Sequence, residues 1–215
     1  MTEPSSIRGA RDDARDTVRA DGVRRFERAA ALWAAGAADA RRTDAVETAV
    51  LVEGASDRAA VLALAEIDGR DLAADGVAVL PMGGAMSIRR YAALLGPRGL
   101  GLGLRGLCDA REVPFFERAG MLAADYQVCE PDLEGELIRS LGLDGVEAVL
   151  AAEGDLRLFR TFQQQPAQRP RSAEKQLHRF FGTTAGRKEH YGRELVLAAG
   201  ADAVPGPLRR LLDSV

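Results

Sequence analysis

The stretch TAVLVEGASD, residues 48–57, predicts a buried β-strand that passes directly into a helix. Its apolar run ends at Val52, Gly54 allows the chain to bend sharply, and Ser56 is a favoured residue at the start of a helix. Continuous apolar strands separated by helices are typical of a parallel sheet that is covered on both faces. The predicted fold class is therefore α/β, with a parallel four-stranded sheet between helices. The other three strands are predicted at 77–80, 102–108 and 125–129.

The pattern of the chain predicts three segments: an N-terminal helical segment over 1–45, a core over 46–143, and a helical C-terminal extension over 144–215 that completes the module. The first segment is predicted to form one amphipathic helix, and Gly36 is predicted to end it. This helix either packs on the main domain or binds a second copy or another partner. Its apolar face consists of Val23, Phe26, Ala30 and Trp33.

The composition is that of an ordinary globular protein. The 215 residues are 47% hydrophobic and 28% charged, and their formal net charge is −3. The chain has no apolar run long enough to span a membrane, no signal-peptide pattern and only two cysteines. We therefore expect a cytoplasmic protein without a membrane partner. Because the chain is not basic as a whole, any nucleic-acid-binding surface must be a local patch.

Acidic residues follow three of the predicted strands at the point where each strand ends. The carboxyl ends of parallel strands lie at one edge of the sheet, so these carboxylates should converge there. Converging negative charges are tolerated when a hard divalent cation binds among them. Ligands that are all oxygen atoms favour Mg²⁺, Mn²⁺ or Ca²⁺ over Zn²⁺. The acidic residues are Glu53, Asp109, Glu130, Asp132 and Glu134.

The order of these motifs resembles the Toprim domain of topoisomerases, primases and a group of nucleases. The details look most like the nuclease module of the overcoming-lysogenization-defect family. That module has an acidic residue four positions after the first Glu, as Asp57 is here, and a Gly-Gly turn after the second strand. It also has Asp-Leu-Glu after the last strand and a basic helix with a lysine further on. The corresponding residues here are Gly83-Gly84, Asp132-Leu133-Glu134 and Gly186-Arg187-Lys188, and the resemblance covers residues 48–199.

The resemblance implies a metal-dependent endonuclease that cuts or nicks DNA. A pair of Mg²⁺ or Mn²⁺ ions would clamp the attacking and leaving oxygens of the phosphodiester. Glu53 and Lys188 are the predicted catalytic residues, with Lys188 stabilising the negative charge that develops on the phosphate. The predicted metal ligands are Glu53, Asp57, Asp109, Glu130, Asp132 and Glu134.

One position departs from the family pattern. The family has Asp-x-Asp after the third strand, whereas this chain has Asp109-Ala110-Arg111. At strand spacing the side chains of residues 109 and 111 project to the same side, so Arg111 should point where a second carboxylate is expected. Either Glu112 or a rotated Glu134 fills that place, or one metal site is lost and the protein binds phosphate without cutting it.

Several basic residues and the Gly83-Gly84 turn are predicted to contact nucleic-acid phosphates. The turn opens a helix and either presents backbone N–H groups to a phosphate or is a plain tight turn. The basic residues form either a phosphate-binding wall or an ordinary solvated helix face. The predicted phosphate-binding residues are Gly83, Gly84, Arg111, Lys175, Arg179 and Arg187.

The sequence contains no G-x-x-x-x-G-K-[ST] motif, so we expect no nucleotide cofactor, and any ATPase would be a separate partner. His178 and His190 lie on different predicted helices without cysteines nearby, and we expect no zinc site there. Two other functions stay open. One is a non-catalytic nucleic-acid-binding or regulatory subunit with a degenerate metal site, and the other is a sheet that binds a small phosphorylated ligand.

Overall fold

The computed structural model describes residues 5–34 and 41–215. Its centre is a four-stranded sheet in the order β2-β1-β3-β4, in which every neighbouring pair is parallel. The predicted α/β class is confirmed, and each predicted strand differs from the observed one by a residue or two at most. The strands are β1 Thr48–Val52, β2 Val77–Pro81, β3 Gly103–Asp109 and β4 Tyr126–Cys129.

Helices follow each strand, and further helices extend the chain to its C-terminal end. The longest helix of the C-terminal half, α5, is kinked at Gly142, where φ is +68°. No helix in the described part of the chain is both long and apolar enough to cross a membrane. The helices are α1 Ser5–Ala34, α2 Ala55–Ile67, α3 Ile88–Leu95, α4 Val113–Arg118, α5 Leu133–Ala152, α6 Leu156–Gln163, α7 Ala173–Phe181, α8 Arg187–Ala203 and α9 Gly206–Asp213.

The two faces of the sheet are both buried, which explains why β1 and β2 are almost entirely apolar. On one face Val50 and Val52 pack with α2 and with the helices from α5 to α9. On the other face Ala49 and Leu51 pack with α1, α3 and α4. Side chains alternate between the faces along a strand, so a strand covered on both sides reads as a nearly continuous apolar run. The C-terminal helices therefore share one hydrophobic core with the sheet.

The N-terminal helix α1 packs beside β2, the strand at one edge of the sheet, and Val23 and Phe26 of this helix are buried. A Glu27 oxygen accepts a hydrogen bond from the backbone N–H of Val79 at 2.8 Å. Arg58 donates to the backbone oxygen of Val79 at 3.1 Å and also pairs with Glu27 at 2.9 Å. An open strand edge is a template for pairing with another chain, so this ion pair closes the edge at Val79. Gly36, the predicted end of α1, lies outside the described residues.

We expect Glu27→Ala to lower the free energy of unfolding by about 2 kcal/mol. The change leaves the Val79 N–H and the Arg58 guanidinium without their acceptor, and hydrogen bonds to a charged group contribute about 1.5–3 kcal/mol. Urea unfolding measures this loss. The matched control is Glu47→Ala, because the Glu47 side chain is 73% exposed in its ion pair with Arg19 and such surface pairs contribute less than about 1 kcal/mol. Equal losses for the two variants would contradict the role assigned to Glu27.

A candidate metal centre at the carboxyl edge of the sheet

Three carboxylates meet where the two central strands end, and we call Glu53, Asp109 and Glu112 the first acidic cluster. Each offers an oxygen atom within 4.8 Å of the others. Glu53 directly follows β1, and Asp109 is the last residue of the neighbouring strand β3. Because β1 and β3 are parallel and hydrogen-bonded to each other, their carboxyl ends lie side by side. The convergence predicted for Glu53 and Asp109 is therefore observed.

The third member of the first acidic cluster is Glu112, and Arg111 does not occupy its place. The strand ends at Asp109, and residues 110–112 form a short 3₁₀ turn, so the predicted strand alternation between positions 109 and 111 is wrong. The Arg111 side chain is 78% exposed, and its guanidinium lies 3.6 Å from Asp109. Glu112 is only 9% exposed. The turn thus directs Glu112 inward, and Arg111 to the solvent.

The first acidic cluster is electrostatically strained without a cation. Burial, followed by the negative charge of Glu53, raises the pKa of Asp109 to about 7. Burial, followed by a hydrogen bond with Glu53 and its charge, raises the pKa of Glu112 to about 8. One carboxylate oxygen of Glu112, Oε2, is buried without a hydrogen-bond partner among the described residues. Buried carboxylates that repel one another and lack partners are stabilised by a proton or by a metal ion.

Asp57 is held in the first turn of α2, near the first acidic cluster. Its Oδ2 atom accepts a hydrogen bond of 2.8 Å from the backbone N–H of Gly54, which precedes the helix. Burial nevertheless raises the pKa of Asp57 to about 6, and the charges of Glu134 and Glu53 add to this increase. The Asp57 carboxylate is therefore repelled by acidic residues that follow both β1 and β4.

A second group, the second acidic cluster, consists of Asp132 and Glu134 at the start of α5. Asp132 is the residue before the helix, and its Oδ1 atom accepts a hydrogen bond of 2.8 Å from the N–H of Gly135. His178 Nε2 lies 2.9 Å from Asp132 Oδ2 and 4.0 Å from Glu134. Lys188 Nζ lies 2.7 Å from Glu134 Oε1. This cluster thus carries its own basic partners.

The pKa values in and around the second acidic cluster shift in the directions expected for ion pairs. The hydrogen bond with His178 lowers the pKa of Asp132, and the same bond raises the pKa of His178. Burial by itself lowers the pKa of Lys188, but the charge of Glu134 and its hydrogen bond outweigh burial, so the pKa is raised. These shifts favour the charged forms of all three side chains, unlike the shifts in the first acidic cluster.

Two other predicted site residues lie elsewhere. Glu130 is exposed, and its carboxylate belongs to neither acidic cluster, so the structure does not bring this predicted metal ligand together with the others. The N-cap geometry of Asp132 turns the chain after β4 such that residues 132 and 134, and not residue 130, face the site. Arg187 pairs with Asp155 at 3.2 Å and lies over the ring of Phe180. Its side chain is 14% exposed and engaged within the protein, and phosphate binding by Arg187 stays a prediction.

Two shallow clefts adjoin the acidic clusters, and Lys188 lines both of them. Lys175 and Arg179 are exposed on α7, so both remain free to contact a ligand from solvent. One cleft of about 250 Å³ is lined by Glu53, Gly54, Ala55, Ser56, Asp57, Gly186, Lys188 and Glu189. The other, of about 380 Å³, is lined by Phe162, His178, Arg179, Gly182, Thr183 and Lys188.

The Gly83-Gly84 turn after β2 supports the position of Glu53. Both glycines have positive φ angles, +71° and +117°, a region that residues with side chains rarely adopt. The N–H of Gly84 donates to the backbone oxygen of Glu53 at 3.1 Å. This amide is engaged within the protein, which leaves phosphate binding by the turn as a prediction for Gly83.

Stability of the metal-free protein should fall as the pH rises from about 5 to 8. The pKa values of Asp57, Asp109 and Glu112 are raised to about 6, 7 and 8, so the folded state holds more protons than the unfolded state in this window. Their contribution is fully present below their ordinary pKa values near 4 and is lost as pH rises through the raised values. Thermal unfolding in chelator at pH 5.5 and pH 8 measures the effect.

In that experiment Glu112→Gln should flatten the dependence of Tm on pH, because the variant removes the group with the highest pKa. Saturating Mg²⁺ should also oppose the loss at pH 8, since a metal ion takes the place of the protons. A Tm of the wild-type protein in chelator that rises between pH 5.5 and pH 8 would contradict the described electrostatics.

A family model matches the part of the chain that contains strands β1 to β3. Residues 46–110 match the family model described as "Overcoming lysogenization defect protein-like, TOPRIM domain". No curated protein sequence matches the chain.

Solved structures similar to this chain include C-terminal regions of overcoming-lysogenization-defect (OLD) proteins. The one from Burkholderia pseudomallei is 22% identical with a TM-score of 0.59, and the match covers 79% of this chain and 96% of that one. The one from Xanthomonas campestris pv. campestris, phased with iodine, is 26% identical with a TM-score of 0.57, covering 78% of this chain and 93% of that one. The resemblance inferred from the motifs is thus confirmed: residues 46–110 match the model of the overcoming-lysogenization-defect protein-like Toprim domain, and the fold matches C-terminal regions of proteins of that kind.

Proposed function

We propose that this protein is a metal-dependent endonuclease that cuts or nicks DNA by a two-metal Toprim mechanism. The observation that carries the proposal is the first acidic cluster, where three carboxylates converge within 4.8 Å at the carboxyl edge of a parallel sheet. Ligands bind at this edge in open α/β sheets. The Toprim domain match over residues 46–110 supports a nuclease among the chemistries that such a site can perform.

The residues present fit a hard divalent cation such as Mg²⁺ or Mn²⁺. The buried Glu112 Oε2 atom has no partner among the described residues, and all members of the first acidic cluster are oxygen donors. Asp57, Asp132 and Glu134 would complete the ligand set. Bound ions of this kind would polarise the phosphodiester and stabilise charge on its attacking and leaving oxygens.

The basic side chains around the clusters would hold and stabilise the DNA backbone. The Lys188 ammonium lines both clefts and lies 2.7 Å from Glu134, close to where a scissile phosphate would lie. A preorganised cation there favours the transition state, in which negative charge accumulates on the phosphate oxygens. Lys175 and Arg179, exposed on the neighbouring helix α7, would contact phosphates further along the strand and make DNA binding dependent on salt.

A plasmid assay tests this function. Supercoiled DNA incubated with the purified protein should become nicked or linear in Mg²⁺ or Mn²⁺, and excess chelator should prevent this. Cleavage should occur with either ion and should not require added nucleotide. Supercoiled DNA that stays intact across millimolar Mg²⁺, Mn²⁺ and Ca²⁺ would contradict the proposal.

A second candidate function is a non-catalytic nucleic-acid-binding or regulatory subunit. Two observations favour it: Arg111 stands where the family pattern has an acidic residue, and the second acidic cluster is already paired with His178 and Lys188. Such a protein would retard DNA in a gel without cutting it, and its binding would not require a divalent ion. The same plasmid, analysed by gel retardation and by cleavage in parallel, separates the two functions.

A further inference from the structure

The two acidic clusters differ in how much positive charge the protein itself places beside them. Among the described residues, the one basic group within 4 Å of the first acidic cluster is Arg111, at 3.6 Å and mostly in solvent. Glu112 of this cluster is more than nine-tenths buried, and its Oε2 atom has no hydrogen-bond partner in the described part of the chain. The first acidic cluster therefore has a ligand atom that the protein leaves unsatisfied.

The second acidic cluster, in contrast, has the Lys188 ammonium beside its two carboxylates. His178 also lies there: its ring nitrogen is a basic partner when protonated and a third potential metal ligand, within 4.8 Å of both carboxylates, when neutral. His178 lies 2.9 Å from Asp132, and Lys188 lies 2.7 Å from Glu134 Oε1. This Glu134 oxygen is buried and, apart from the ion pair with Lys188, has no partner among the described residues, whereas Glu112 Oε2 has no cation beside it. A divalent cation that binds Glu134 must compete with the ammonium of Lys188 for the same oxygen atom, and the two positive charges repel each other at close range. Binding at this cluster is therefore opposed in the free protein, whereas binding at the first acidic cluster is not.

We propose that the free protein binds one divalent cation tightly, at the first acidic cluster, with Glu112 replacing the carboxylate that the Toprim pattern puts at position 111. Lys188 then supplies the positive charge of the second acidic cluster until DNA is present. The inference rests on the proposed function, because a phosphate of the substrate would draw Lys188 away from Glu134 and open that cluster to the second ion. Metal loading is thereby ordered, with the second ion dependent on substrate.

Calorimetric titration with Mn²⁺ in the absence of DNA tests the inference on the full chain. The wild-type protein should show one tight site. Glu112→Gln, which keeps the shape and removes the charge, should weaken that site at least about tenfold, since a hard cation requires charged oxygen ligands. Lys188→Met, which removes the competing ammonium, should strengthen a second site at least about tenfold. Circular dichroism checks that each variant is folded.

Matched controls come from residues of the same type outside the clusters. Glu130→Gln removes an exposed carboxylate near β4, and Lys175→Met removes the other lysine of the chain. Both should reproduce the wild-type Mn²⁺ titration. If Glu130→Gln weakens Mn²⁺ binding as much as Glu112→Gln does, or Lys175→Met strengthens it as much as Lys188→Met does, the changes reflect net charge alone. That result would overturn the assignment to Glu112 and Lys188.

The remaining outcomes distinguish this inference from the proposed function. Two equally tight sites in the wild-type protein, or an unchanged tight site in Glu112→Gln, would overturn the inference even if the plasmid is cut. A second site that is no tighter in Lys188→Met would also overturn it. One tight Mn²⁺ site that depends on Glu112, in a protein that never cuts DNA, would support the inference and refute the nuclease function.

Discussion

Glu53→Gln is expected to lower metal-dependent cleavage of supercoiled DNA at least about 100-fold while the protein stays folded. Glu53 follows the central strand β1 and shares the first acidic cluster with Asp109 and Glu112. Glutamine keeps the size of the side chain but removes the charge that a hard cation requires. Loss of a mere outer-shell partner of a metal costs about 10–100-fold, so loss of a charged ligand should cost more.

The measurement is the initial rate of plasmid cleavage in Mn²⁺, with unfolding followed by circular dichroism. The backbone oxygen of Glu53 that binds Gly84 is retained in the variant, so the local turn should persist. Glu130→Gln is the control, because Glu130 is an exposed carboxylate outside both clusters. This variant should cleave the plasmid at the wild-type rate. A Glu53→Gln protein that cuts as fast as the wild type would refute the assignment of the site.

Lys188→Met and Lys188→Arg are both expected to slow cleavage about 100-fold, in keeping with the roughly 3 kcal/mol that a preorganised donor contributes to a transition state. Only two of the 29 Lys and Arg residues in this chain are lysines. An ammonium is a compact charge, whereas a guanidinium is planar and broader and cannot take the same place between Glu134 and a phosphate. Because the chain uses arginine at nearly every other basic position, the lysine in this cleft indicates a requirement for the compact ammonium group.

Single-turnover cleavage, with the enzyme in excess over the plasmid and saturating Mn²⁺, measures this effect on the chemical step. In Lys188→Met the loss of cleavage should accompany tighter Mn²⁺ binding at the second acidic cluster. Slower cleavage together with tighter Mn²⁺ binding would show that the variant loses a catalytic lysine, because a defect in metal binding would weaken both. Full activity of Lys188→Arg would show that Lys188 acts only as a counter-ion for Glu134.

The sheet and part of the candidate site were predictable because their determinants are local in sequence. Apolar runs define the strands, and a carboxylate directly after a strand lies at the carboxyl edge whatever else surrounds it, as Glu53 and Asp109 do. Glu112 was foreseen only as an alternative because the prediction continued strand spacing past Asp109. Pro114 was an available signal, since proline is favoured in the first turn of a helix and indicates that the strand has already ended.

The remaining site residues depend on tertiary packing that no short pattern encodes. His178 reaches Asp132 across 46 positions of the chain because α7 packs against α5, and its neighbours in sequence do not distinguish it from a surface histidine. Arg187 and Lys188 are adjacent, yet consecutive helical residues point about 100° apart. One of them therefore packs over Phe180 while the other lies at Glu134, and composition alone could not separate their roles.

The central claim is that a divalent cation binds among the carboxylates at the carboxyl edge of the sheet. Crystals of the protein soaked in Mn²⁺ test it most directly, because the anomalous signal of manganese locates the ion independently of its ligands. We predict a strong peak in contact with carboxylate oxygens of Glu53, Asp109 and Glu112. A saturating soak that leaves this position without a peak, or places manganese only at exposed carboxylates such as Glu130, would contradict the account.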